Sequence, residues 1–483
     1  MAKRRLSGRQ NRNDGVELPG RGTLHLSDPG SRAIRGASVL ASSETHGSTR
    51  FVLSESKRLR LFSMTVFYFA QGLPIGLYLT AVAAWISQNG ASASDVAFLV
   101  TTTYLPWSFK FFGAALMDRY TYLAMGRRRI WLIGSQALMV IGLVVAAAAS
   151  PGPGDIELLA YVGFAIFVGS AMQDVAVDGL AVDILPDEEQ GTASAFMFAG
   201  QAFGISIGAA LGGFLLARYG TTVAFLGFLP LVGGIFLLAV ILRERTGEKM
   251  LPWTAGQASP DAVSIERANW LGILRITFKS MIKRDSIIYL LAAVAVRATG
   301  GMFVAFWPLY ATKEAGWSTE DYSAMAATLG LIIAAFGMGA GAFLNAKFGP
   351  RRSSVFSAGM YVVLASLFLI WPEMGLIWAG FIFLYMLTDT TSLLYSICTN
   401  PIRMRLSDKR VAATQFTIYN SLSNLPVPAG AWILAYTTDL GGRPASMTTV
   451  IGLAIFGMIA LSLLRIGNVV DEHPEDDMTP RMD

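Results

Sequence analysis

The sequence predicts an all-α membrane protein: twelve transmembrane helices in two pseudo-symmetric six-helix bundles. Three observations carry this. Of 483 residues, 53% are hydrophobic and only 15% are charged, against about 25% charged in soluble chains. Long continuous apolar runs recur from Leu61 to the C-terminal region. Polar motifs at the ends of those runs repeat at a constant offset. A soluble enzyme of this size could not cover its surface with so few charges. An outer-membrane barrel alternates apolar and polar residues along its strands, and these runs do not alternate. One cysteine, Cys398, and three histidines leave no disulfide framework and no thiolate metal cluster; no metal and no cofactor is expected.

A hydrocarbon core of about 30 Å needs about 20 apolar residues per helix. On that measure spans fall at 61–87, 94–117, 130–149, 157–183, 190–217, 222–242, 286–312, 319–346, 353–371, 374–400, 411–437 and 446–465. Residues 1–60 are polar and Arg/Ser-rich and read as a disordered cytoplasmic tail. The first apolar run is too long for a signal-peptide core. The domain plan is then the tail 1–60, an N-terminal bundle 61–242, a linker 243–285, a C-terminal bundle 286–465 and a second cytoplasmic tail 466–483. In the linker, Trp270, Ile273, Leu274, Phe278, Met281 and Ile282 recur at helical spacing, with Arg267, Arg275 and Lys279 largely off that stripe. This predicts a basic amphipathic helix on the membrane surface.

Orientation follows from the cations. With both termini inside, 33 of the 38 Lys and Arg lie on the inner side and three (Arg218, Lys313, Arg443) on the outer side. The positive-inside rule therefore predicts cytoplasmic N- and C-termini.

The halves repeat. Asp118-Arg119 and Gly126-Arg127-Arg128-Arg129 close the second span; Asn345, Lys347 and Gly349-Pro350-Arg351-Arg352 close the eighth. Glu189-Gln190-Gly191-Thr192-Ala193 opens the fifth, and Arg410-Val411-Ala412-Ala413-Thr414 the eleventh. The offset is 221–223 residues, the mark of a duplicated six-helix unit. Two such halves around a central site are the plan of many secondary transporters.

Ionisable side chains at membrane depth mark sites or pathways. Here they are Lys110 on the second span, Asp174 and Asp178 on the fourth, Arg297 on the seventh and Asp389 on the tenth. At 1.5 Å per residue, Lys110 and Asp174 lie about 12 and about 14 Å from their cytoplasmic helix ends. Two pairs are expected, Lys110 with Asp174 and Arg297 with Asp389. Asp174 and Asp178 are i,i+4 on one face, an arrangement that suits proton coupling. Gln71-Gly72-Leu73-Pro74 is expected to interrupt span one, because proline removes a backbone donor, and to turn Gln71 toward a solute. Gln173, Gln201, Asn420 and Asn424 are further polar candidates. Asp118, Arg119, Arg127, Arg128 and Arg129 form the expected gating loop, with Asp183, Asp187, Glu188 and Glu189 as caps or gates.

The strings Phe69-Ala70-Gln71-Gly72-Leu73-Pro74, Lys110-Phe111, Met117-Asp118-Arg119-Tyr120, Gly126-Arg127-Arg128-Arg129, Gln173-Asp174-x3-Asp178 and Asp183-Ile184-Leu185-Pro186-x-Glu188-Glu189, in this order, resemble the AmpG-like muropeptide permease family of the major facilitator superfamily. The Gln-Asp-x3-Asp run is also similar to the related acetyl-CoA transporters and siderophore importers. The resemblance covers roughly residues 61–220. It implies proton-driven import of a polar, anionic solute across the bacterial inner membrane, with Asp174 and Asp178 carrying protons or binding solute and Lys110 contacting them or an anionic group. Expected partners are a small-molecule solute, protons and membrane lipids, with no nucleic acid, and the chain is expected to act as a monomer. The alternatives are a siderophore or acyl-CoA transporter, and a sensor or scaffold that does not transport. A membrane-embedded enzyme would need a constellation that the sequence lacks: there is no Cys/His cluster, no phosphate-binding glycine loop and no Ser/His/Asp arrangement.

Overall fold

The computed structural model describes residues 51–264, 275, 278–407 and 412–465. Each predicted span has its own helix. The first half holds α1 (Lys57–Gln88), α2 (Ala93–Ser108 and Lys110–Arg119), α3 (Arg129–Ala149), α4 (Ile156–Ile184), α5 (187–219) and α6 (221–241). The second holds α7 (Arg284–Glu314), α8 (Thr319–Phe348), α9 (Pro350–Ile370), α10 (Trp378–Leu406), α11 (412–440) and α12 (443–462). Among the described residues nine helices are long and apolar enough to cross a membrane. Two of these run through a turn at Gly220 and at Gly441–Gly442 and so hold two spans each. The remaining span is α2, which bends at Phe109 into two shorter pieces. No strand occurs among the described residues, only a single parallel bridge between Val52 and Arg243.

The repeat is written into the backbone as well as the motifs. Gly126 and Gly349, 223 residues apart, open α3 and α9 with the same positive-φ geometry (φ 100°, ψ 166° and φ 79°, ψ 156°). Gly220 and Gly442, 222 apart, make the reversals before α6 and α12 at φ 76° and φ 62°. Only glycine adopts such conformations without strain. Ser92 and Ser318 cap α2 and α8 by accepting from the N–H of Asp95 and Asp321, as N-cap serines do. Both α1 and α7 relax into π-helical turns, Leu77–Val82 and Tyr310–Glu314.

Within each half two helices cross with backbone against backbone. A Cβ on Gly204 of α5 would stand 2.1 Å from the Phe69 carbonyl oxygen of α1, and one on Gly76 1.9 Å from that of Ile205. Gly72, Gly200 and Gly208 sit in the same seam. The second half repeats the contact between α7 and α11, where a Cβ on Gly301 would lie 2.1 Å from the Val427 oxygen. In lipid no hydrophobic force drives helices together, so such small-residue seams supply close packing instead.

The seam also accounts for a departure from expectation. The helix is not interrupted at Pro74; it runs on through Gly76. The Leu77 N–H reaches both the Leu73 and Pro74 carbonyls, and the wide turn that follows takes up the irregularity. Backbone groups without partners are costly in a bilayer, and α5 packs directly against this stretch. The N-terminal boundary moves too. Residues 51–56, expected in the tail, are folded: the Leu53 and Ser54 amides donate to the Arg243 and Glu244 carbonyls at 2.9 and 3.0 Å. Residues 1–50, most of the expected amphipathic stretch (265–274, 276 and 277) and the tail 466–483 lie outside the described residues.

The halves meet where α1 and α7 end. Thr312 donates to Ser87 at 2.8 Å, the Thr319 amide donates to Gln88 at 2.8 Å, and Arg218 holds Glu320 through two hydrogen bonds at 3.0 and 3.1 Å. Further in, Thr101 of α2 donates to the Pro428 carbonyl of α11 at 3.2 Å.

At the opposite end the strap 243–259 binds the first half. The Glu244 carboxylate accepts the amides of Arg127, Arg128 and Arg129 at 2.8, 2.7 and 2.6 Å, so it caps α3 and opposes its positive end. Arg129 is 2% exposed and donates to four carbonyls, those of Ala239, Val240, Lys249 and Met250. Glu248 lies beside Glu244, accepting the Arg245 amide at 3.0 Å. Burial, with help from the Glu244 charge, pushes its carboxyl up to about 7.

Two predictions follow from this packing. Gly204→Val should lower the thermal stability of the detergent-purified protein or abolish its folding, because overpacking costs about 1–3 kcal/mol even where neighbours can yield and here the neighbour is backbone. Gly134→Val, with nothing within 4 Å of its Cβ, should leave the melting temperature nearly unchanged. The raised Glu248 carboxyl makes the folded state bind its proton more tightly than the unfolded chain does. Its contribution is therefore undiminished below about pH 4.5 and is lost as pH rises through about 7. Glu248→Gln should flatten the fall in melting temperature across that window; an unchanged pH profile would contradict the assignment.

Candidate functional site

The charges expected in the first half converge. The bend of α2 at Phe109 makes Lys110 the first residue of a new helical piece. A cation there is unfavourable to the helix dipole, and α4 supplies the compensation: Lys110 Nζ lies 2.6 Å from Asp174 Oδ2. Both side chains are largely buried, at 12% and 5% exposure. The ammonium also stands over the Trp107 ring, 5.4 Å from its centroid, a cation–π contact. One turn on, Asp178 is exposed and accepts a hydrogen bond from the Tyr68 hydroxyl of α1. Asp174 thus has a cation, whereas Asp178 has a neutral phenol and access to its surroundings. Tyr68 was not among the sequence candidates. The available signal was its place three residues before Gln71 on one face of α1.

The glutamines play a different part from the one expected. Gln173 is fully buried; its carbonyl accepts from Gln136 of α3 at 2.6 Å, and its amide donates to the Phe67 carbonyl of α1. It ties three helices together beside Asp174. Gln71 is also fully buried, accepting from Gln201 of α5 at 3.1 Å. Its Nε2 has no hydrogen-bond partner among the described residues.

In the second half the expected pair does not form. Arg297 donates to the Ser423 carbonyl at 3.1 Å and to Asn424 Oδ1 at 2.9 Å, both on α11. Asp389 instead neighbours the hydroxyls of Tyr385 and Tyr322. Tyr361 feels both charges. The guanidinium reaches the Ser423 carbonyl and the Asn424 side-chain oxygen at a break midway along α11, where Leu425 separates the pieces Ala412–Asn424 and Pro426–Ser462. That break exposes acceptors, and sequence depth alone could not show it.

The loop between α2 and α3 forms a charge network. Arg128 binds Asp118 at 2.8 Å and Asp183 at 3.1 Å, and Arg127 approaches the same two carboxylates at 3.5 and 3.8 Å. Arg129 belongs to the strap contacts above. Arg119 faces away, its guanidinium 5.7 Å from the Tyr120 ring centroid. Glu189 forms a two-pronged pair with Arg60 at 2.7 and 2.9 Å, joining the starts of α1 and α5. Glu244, the acid at the centre of the capping, was missed because its role needs a turn far away in sequence. Among the described residues no group of three or more His, Cys, Asp or Glu side chains is placed to hold a metal ion.

This arrangement has known counterparts. A family model described as Major Facilitator Superfamily matches residues 62–431. The chain is 24% identical over 435 residues to the anhydromuropeptide permease of Escherichia coli (strain K12), covering 85% of this chain and 82% of that one. Among solved structures, a POT family transporter in complex with a thioalcohol-conjugated peptide superposes with a TM-score of 0.62 at 12% identity, over 83% of this chain and 95% of that chain. A bacterial homologue of the lysosomal transporter Spinster superposes at 0.59 and 15% identity, over 84% and 96%. With its paired six-helix halves and a family match over most of its length, the chain belongs to the major facilitator superfamily and is a multi-pass membrane transporter.

Proposed function

We propose that this transporter imports a polar, anionic, muropeptide-like solute across the bacterial inner membrane, driven by protons, with both termini cytoplasmic. The observation that carries this is the unequal pairing of two carboxylates one turn apart on α4. Asp174 is neutralised by Lys110 at 2.6 Å; Asp178 lies in the field of Lys110 without an ion pair to it, accepts from the Tyr68 hydroxyl and is exposed. A carboxylate reachable from one side of the membrane and held by a neutral donor exchanges its proton more readily than one locked to a cation. Asp178 is then the proton acceptor, and the Lys110–Asp174 pair is the element that protonation or an anionic solute perturbs. The likeness to a permease for anhydromuropeptides supports the solute class. Arg297, anchored on α11, offers a second cation to an anionic group, and Asp389 with its tyrosines a second protonatable site.

Most side-chain hydrogen bonds between the halves lie where α1 and α7 end. With the cytoplasmic termini that the cation distribution favours, that end is the outer one, and the conformation is closed outside. In alternating access the two halves rock about the fixed site. The Arg218–Glu320 contact would break and the α2–α3 and strap networks would move as units with the first half.

In proteoliposomes loaded to impose an inward proton gradient, anhydro-muropeptide should accumulate above the gradient-free control, and siderophore or acyl-CoA should not. Asp178→Asn should abolish the gradient-dependent part while leaving solute exchange across equal gradients. Accumulation indifferent to the gradient would refute coupling. Removing one partner of a buried ion pair costs about 3–5 kcal/mol, so Lys110→Met and Asp174→Asn should each lower the yield of folded protein, and the double variant should recover it. Two single losses that simply add would show that the pair is not energetically coupled.

A further inference from the structure

Between α2 and α4 runs a groove of about 700 Å³. Eleven of its thirteen lining residues are apolar or glycine, and the other two are Lys110 and Arg119. Phe112 and Leu116 of α2 and Phe164 and Val168 of α4 form its walls, and Phe112 is 63% exposed. The bend at Phe109 contributes the upper wall. From Leu105 to Arg119 the groove extends about 20 Å at helical rise, somewhat more than the roughly 15 Å of one leaflet of the hydrocarbon core.

Its two cations are not equivalent. Lys110, at mid-membrane depth, is neutralised by Asp174 at 2.6 Å. Arg119, at the end of α2, has no ion pair among the described residues, since its neighbours Arg127 and Arg128 take both Asp118 and Asp183. The groove is thus an apolar channel one leaflet long with an uncompensated guanidinium at its mouth. We infer that it is a binding site for a single anionic phospholipid, with an acyl chain along Phe112, Leu116, Phe164 and Val168 and the headgroup phosphate on Arg119. Guanidinium and phosphate pair through two parallel hydrogen bonds, and anionic lipids attract cations at the membrane surface. The chain's end reaches the Lys110–Asp174 pair. Its presence keeps water from that flank and so strengthens the pair's attraction.

The experiment reads lipid binding, so it is independent of the solute and of proton coupling. The full-length protein, delipidated in detergent, is titrated with phosphatidylglycerol or with phosphatidylcholine of identical acyl chains. Retained lipid is counted by native mass spectrometry, and melting temperature is followed in parallel. The expected result is one phosphatidylglycerol retained in preference to phosphatidylcholine, by roughly fivefold for one basic contact, with a higher melting temperature. Arg119→Gln should erase the preference and Arg119→Lys should keep most of it. Val168→Trp, which fills the groove, should reduce retention of both lipids; if that variant does not fold, the Arg119 pair decides alone. Equal retention of the two lipids, or a preference that survives Arg119→Gln, would mean an adventitious annular lipid only and would overturn the site.

Discussion

An ion in the middle of a bilayer must find an opposite charge or a donor, and the first half of this transporter is arranged around that requirement. Lys110 opens the second piece of a helix that bends just before it. Asp174 answers it at 2.6 Å. Gln173, one residue earlier, fastens α4 to α1 and α3 by its amide, so the carboxylate is held by a helix that cannot easily turn. Tyr68 then reaches the remaining carboxylate from α1. The pair is not a large source of stability, since desolvating both ions offsets much of their attraction. Its consequence is conformational: the cost of stranding either charge makes a change at one felt by the other.

Beside that pair, α1 and α5 lie closer together than ordinary side chains allow. The glycines of α1 and α5 permit this by letting backbone touch backbone, and α7 with α11 repeats the solution. The two halves share a scaffold but differ in their chemistry. In the first, the cation and carboxylate face each other. In the second, Arg297 is drawn to the break midway along α11, and Asp389 is left among tyrosines. A duplicated frame has thus been given unlike charge arrangements in its two halves.

How far the molecule was legible in its sequence varied with the range of the interaction. The spans were legible because a bilayer admits only long apolar helices, and the repeat because the same loop motifs recur, with Gly126 and Gly349 at equivalent positive-φ turns. The Lys110–Asp174 pairing was legible because few ions lie at that depth and their heights agree. The Arg297–Asp389 pairing rested on the same reasoning and does not occur, since height along a helix does not report rotation about it. Pro74 misled for a related reason: proline weakens a helix locally, but a neighbouring helix pressed against it decides whether the helix breaks. The folding of 51–54 onto 243–244 and the capping by Glu244 were not legible, as each joins segments more than a hundred residues apart.

The sequence by itself determined what the solvent imposes: twelve apolar helices, their duplication, the side on which cations gather, and the few charges held at depth. Each of these depends on composition and spacing within one segment. The tertiary structure decided which charges meet, which helix continues through its proline, which glycines carry the seams, and which guanidinium is left without an ion pair among the described residues. Those outcomes depend on the azimuth and approach of helices that only packing sets, because a contact of 2 to 3 Å between distant segments leaves no periodic trace in either one.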